Sequence, residues 1–126
     1  MLTTTSRISE FIGNVSFNQI EKQTIEYSKK AILDTVGVTI GGSASKDSAI
    51  LNSVINSLGG NEESSTIGAA SFRTSCDNAA IVNGFRGHVL DYDDIYPEMS
   101  GHPSVPLVAA IISLGEKENI SGKKFL

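Results

Sequence analysis

The chain has 126 residues, room for one domain of ordinary size and not for two. With 40% hydrophobic and 19% charged residues it can bury a core, which argues against disorder and against a membrane protein. Ten basic against fourteen acidic side chains give a net charge of −4, a balance that argues against nucleic acid or an anionic membrane as the main partner. A lone cysteine, Cys76, has no internal disulfide partner and reads as a small packing residue. The start Met1-Leu2-Thr3-Thr4-Thr5-Ser6-Arg7 lacks the charged and apolar regions of a secretion signal, so the cytoplasm is the expected location.

Taken in chain order, the apolar pattern is helical almost throughout. A short opening helix over residues 6–15 would carry Ile8, Phe11, Ile12 and Val15. A long helix follows from about Asn18 to Ile40, with Ile25, Ile32 and Val36 inward, a Lys30–Asp34 pair at i,i+4, and Gly41-Gly42 as its stop. The clearest amphipathic segment is 47–58: Ile50, Leu51, Val54, Ile55 and Leu58 share one face. Ser45 is its expected N-cap, Asp47 suits the positive end of the helix dipole, and Gly59-Gly60 terminates it. Residues 64–68 could form a short extended piece, and Gly68-Ala69-Ala70-Ser71 reads as loop.

Helix resumes with Thr74 or Ser75 as cap and runs towards Leu90. Its interior glycines cost about 1 kcal/mol each relative to alanine, and Ala80, Gly84 and Gly87 form a stripe that would let another backbone approach closely. The last long helix begins near Ser104, with Pro106 in its first turn. Its middle, Leu107 to Leu114, is apolar on every side and far shorter than the ~20 residues a bilayer needs, so it is expected at the buried centre of a bundle, under more protein than this chain supplies. Ser121 to Leu126 reads as the cap and first turn of a further helix, cut in mid-element. The expected fold is all-α, a multi-helix bundle.

Chemistry concentrates between His88 and Ser104. Both histidines lie there, with Asp91, Asp93 and Asp94 crowded at a helix C-terminal end, where the dipole disfavours negative charge. The two later aspartates could instead be solvated caps of the following turn. His102, ahead of Pro103, is expected just outside the N-terminus of the last long helix, whose free N–H groups form a site for a ligand carboxylate or phosphate. There it is either a proton donor and acceptor or a structural histidine bonded to a carbonyl. His88, three residues before Asp91, is expected to pair with it.

Metal readings fit poorly. A calcium loop starting at Asp91 would place Tyr96 where glycine is required and His102 where glutamate is required. Adjacent aspartates on a helix end diverge, which disfavours magnesium, and zinc would want more His or Cys. A magnesium site on Asp91, Asp93 and Asp94 stays a minor alternative, and no phosphate-loop, dinucleotide or nucleophile-elbow pattern is present.

The run Ala79-Ala80-Ile81-Val82-Asn83-Gly84, then His88-Val89-Leu90-Asp91-Tyr92-Asp93-Asp94 and Gly101-His102-Pro103-Ser104, resembles the MmgE/PrpD family, which includes 2-methylcitrate dehydratase, cis-aconitate decarboxylase and iminodisuccinate epimerase. Lys30-Ala31-Ile32-Leu33-Asp34-Thr35-Val36-Gly37 is similar to that family's first long helix. The resemblance spans residues 1–126 as the opening part of the family's helical domain, with the rest of that domain and a smaller α+β domain to follow. It implies a lyase or isomerase that needs no metal and no organic cofactor and acts on small di- or tricarboxylates, homodimeric at full length, in which Asp91 and His102 carry the proton transfer and Asp94, Ile95 and Ser104 face the substrate. Alone, the chain is expected to be inactive. Many members have threonine and histidine where this chain has Ile95 and Tyr96, which leaves the substrate open. The competing expectation is a non-catalytic helical module that assembles with a partner subunit supplying the rest of the site.

Overall fold

A computed structural model describes residues 3–126. Among these residues six α-helices form the body: α1 (Thr4–Asn14), α2 (Lys22–Gly42), α3 (Lys46–Leu58), α4 (Cys76–His88), α5 (Ser104–Lys117) and α6 (Gly122–Phe125). Single 3-10 turns cover Phe17–Gln19 and Pro97–Met99. A minimal antiparallel pair, β1 (Ser64–Ser65) and β2 (Arg73–Thr74), sits between α3 and α4. The fold is all-α in class; Thr74, one of the two expected caps of α4, lies in β2, and Ser75 is the N-cap. Among the described residues no helix is long and apolar enough to cross a membrane.

The caps expected at Ser45, Gly59 and Ser121 form, whereas Ser75, the N-cap of α4, makes no side-chain cap bond. Ser45 accepts the Ser48 N–H, Gly59 closes α3 with φ 71°, and Ser121 accepts the Lys124 N–H. Gly41 and Gly42 end α2 from inside it, as its last two residues. Lys30 lies over the Tyr27 ring, 5.7 Å from its centre, and the α2 ion pair among the described residues is Lys29–Glu26 instead of the expected Lys30–Asp34.

Helix α4 is the hub, packed on α5, α2 and α3. The buried apolar side chains are few and mostly small: Val38, Ile55, Ala79, Val82, Val105, Val108 and Ala109. Small residues let backbones meet. A Cβ on Gly42 would lie 1.9 Å from the Arg86 carbonyl oxygen, so α2 reaches α4 only because this position is glycine. The expected seam holds at Gly87, buried against Val105 and Thr39, whereas Gly84 has ordinary room beside Ala109.

Polar stitches complete the packing. Arg86 is fully buried and donates to the Ile67 carbonyl (2.6 Å) and to Asn52 Oδ1 (2.9 Å); burial pushes its pKa down. Asn83 accepts from the Ile67 N–H and donates to the Ser65 carbonyl, tying α4 to the strand pair. These bonds explain a correction in α3. Its inward face is Ser48, Leu51, Asn52 and Ile55, rotated towards Arg86, and Ile50, Val54 and Leu58 point outward.

Helix α5 is covered on one side only. Val105, Val108, Ala109 and Ser113 are buried, while Leu107, Ile111 and Leu114 are exposed, so within this chain the expected central helix is half-wrapped. The apolar side chains of α1 are likewise exposed.

Candidate active site

The site is built where the chain leaves α4 and returns to α5. His88 is the last residue of α4. The backbone then turns sharply: the Asp91 N–H bonds the His88 carbonyl at 2.8 Å, and Asp91 adopts a left-handed conformation with φ 50°, which aspartate tolerates better than most residues. That reversal sends Asp93 inward, its side chain 1% exposed, and leaves Asp91 outside at 82%. The loop is pinned twice on its way back. Tyr96 and Gly101 form an isolated antiparallel bridge, and Asp94 accepts both the Ser104 hydroxyl (2.6 Å) and the Ser104 N–H (3.1 Å) at the start of α5. His102 is thereby set against His88, with ring centres 4.9 Å apart and planes at 66°.

Asp93 is the centre of this arrangement. His88 Nδ1 donates to its two oxygens, at 2.9 and 3.2 Å, and His102 Nδ1 faces Oδ1 at 3.4 Å. The expected partner Asp91 is not bonded to His88; its Oδ1 lies 3.9 Å from His102 Nε2, beyond hydrogen-bond range. The helix spacing of three residues suggested His88–Asp91, but α4 ends at His88 and the left-handed turn breaks that spacing. Asp93 was the residue sequence reasoning left out. The crowding of three aspartates marks Asp93, but its five-residue separation from His88 matches no helical face, so the pattern assigns it no partner.

The bond to Asp93, and after it the Asp93 charge, raise the His88 pKa above 6.5, against a smaller opposing effect of burial. A cavity of about 320 Å³ opens beside the pair, lined by Gly84, His88, Asp93, His102, Val105 and Pro106. The N-terminus of α5, expected to receive a ligand carboxylate, has the Asp94 carboxylate on its Ser104 N–H. Ile95 is exposed. Among the described residues no lysine or arginine pairs with Asp91, Asp93 or Asp94.

One ligand atom from each of His88, Asp91, Asp93 and His102 falls within 4.8 Å of the others. Along the chain His and Cys are too few for a zinc site, but folding gathers two imidazoles and two carboxylates, a donor set chemically suited to a divalent cation. The same four groups also compose a proton-transfer site, two imidazoles beside two carboxylates.

Residues 6–126 match the MmgE/PrpD N-terminal domain. The mouse cis-aconitate decarboxylase is 28% identical over 112 residues, and the human cis-aconitate decarboxylase 27% over the same length. Each alignment covers 89% of this chain and 23% of the relative, so the chain spans about a quarter of the length of the curated relatives it matches. No solved structure gives a significant match. With its helical fold and the match running over nearly its whole length, the chain belongs to the MmgE/PrpD family, through the family's N-terminal domain.

Proposed function

We propose that the chain is the amino-terminal helical part of a cofactor-free lyase or isomerase that moves a proton at a carbon next to a carboxylate of a small di- or tricarboxylate. The observation that carries this reading is the His102 imidazole, held at the entry to α5 with one nitrogen facing buried Asp93 and the other towards Asp91, beside a cavity of about 320 Å³. His102 is the catalytic acid or base: it takes the proton from carbon as the adjacent bond breaks, or returns one to the carbanion left by departing carbon dioxide. Asp91, at 3.9 Å and largely in solvent, is placed to hold a substrate hydroxyl or to stabilise the imidazolium once formed. Asp94 and Ser104 shape the far end of the loop, and Ile95 offers a substrate apolar contact and no hydrogen bond. The names of the relatives, both decarboxylases of a tricarboxylate, support the substrate class.

The carboxylates of such a substrate need cationic partners, and the described residues place none on this cluster. In this reading they come from protein outside the chain, as does homodimer formation. The test is reconstitution: the chain is mixed with the remainder of a family enzyme and assayed on a panel of di- and tricarboxylates for loss of water, loss of carbon dioxide and inversion. Activity is expected only with both pieces, and Asp91→Asn or His102→Ala should abolish it. Full activity in both variants would overturn the site. A complex that forms but catalyses none of the three reactions favours a non-catalytic assembly module.

A further inference from the structure

We infer that Asp93 is the positioning residue of this site: its buried carboxylate fixes the tautomer of both histidines, so that each ring carries its proton on Nδ1 and His102 presents a bare Nε2. The Asp93 side chain is 1% exposed and its acceptor capacity is directed at two imidazoles and at no lysine or arginine among the described residues. An ionised carboxylate accepts and cannot donate, so a ring nitrogen set against it must bring the hydrogen. His88 Nδ1 meets both oxygens at hydrogen-bond distance. His102 Nδ1 is a buried nitrogen without a hydrogen-bond partner, facing the same Oδ1 at 3.4 Å. A lone pair there would be repelled by the carboxylate, whereas a proton there is attracted to it across the 3.4 Å. The second nitrogen of His102 lies towards Asp91 and the solvent side, free to accept a proton from carbon. Asp93 then stabilises the imidazolium that forms, the role a buried aspartate plays behind a histidine base elsewhere. The two rings meet edge to face at 4.9 Å, so one carboxylate orients both at once.

The first test needs only this chain. It has two histidines, so long-range proton–nitrogen NMR of the ¹⁵N-labelled protein, above the pH at which both rings become neutral, reads each tautomer directly. The expected spectrum shows protonated Nδ1 and bare Nε2 on both rings. A His102 ring protonated on Nε2 overturns the inference, because Asp93 would then be the donor. Asp93→Asn removes the ionised acceptor and should return His102 to a mixture of tautomers; an unchanged His102 tautomer in a folded variant also overturns it. If that variant fails to fold, the wild-type spectrum decides alone. In the reconstituted enzyme, which rests on the function proposed above, Asp93→Asn should lower kcat by about 100-fold or more with KM little changed. Absence of activity altogether speaks against the proposed function, while the tautomers speak to Asp93.

Discussion

Asp93 and Asp91 show how far two identical side chains can diverge. Two positions apart, one is sealed in and bonded to an imidazole and the other stands in solvent, because a left-handed residue at Asp91 turns the chain between them. The pairing has a pH signature. Since the Asp93 bond holds the folded His88 pKa above 6.5, the protonated ring favours the folded state; that contribution is fully present below the unfolded value and is lost as pH rises through the raised one. The His88 NMR titration midpoint should therefore lie above 6.5, and stability to urea should fall across that window in the wild type. In His88→Asn, which cannot titrate, that fall should disappear. A midpoint at or below 6.5 would contradict the pairing.

Glycines in α4 carry opposite predictions one turn apart. Alanine at Gly84 would set its Cβ 3.7 Å from Ala109 Cβ, ordinary contact, and recover helix propensity; it should raise stability by up to about 1 kcal/mol. Alanine at Gly87 would meet Val105 at 2.8 and 3.0 Å and Thr39 at 3.2 Å, and should cost about 1–3 kcal/mol. Thermal unfolding of the two variants checks the sign of each. The sequence stripe marked both positions alike, since spacing reports which residues share a face and not how close the neighbouring helix comes. A similar limit applies to α3, where the apolar stripe was legible but the buried Arg86 guanidinium drew Asn52 inward and turned Ile50, Val54 and Leu58 out.

On the molecular scale, the exposed apolar side chains of α1, α3 and α5 are a liability for an isolated chain. It should self-associate, with a sedimentation coefficient that rises with concentration, and Leu107→Lys together with Leu114→Lys should reduce that rise. A strictly monomeric wild-type chain at high concentration would contradict this. Helix number, most boundaries, the caps at Ser45 and Ser121, and the concentration of chemistry between His88 and Ser104 were all determined by the sequence, because local propensity, capping and periodicity act over a few residues. The tertiary structure alone decided that Asp93 and not Asp91 meets the imidazoles, that Asp94 occupies the start of α5, and that four potential ligands converge. Those outcomes depend on one backbone reversal and on contacts between residues up to 14 positions apart, from His88 to His102, distances over which no sequence period carries information.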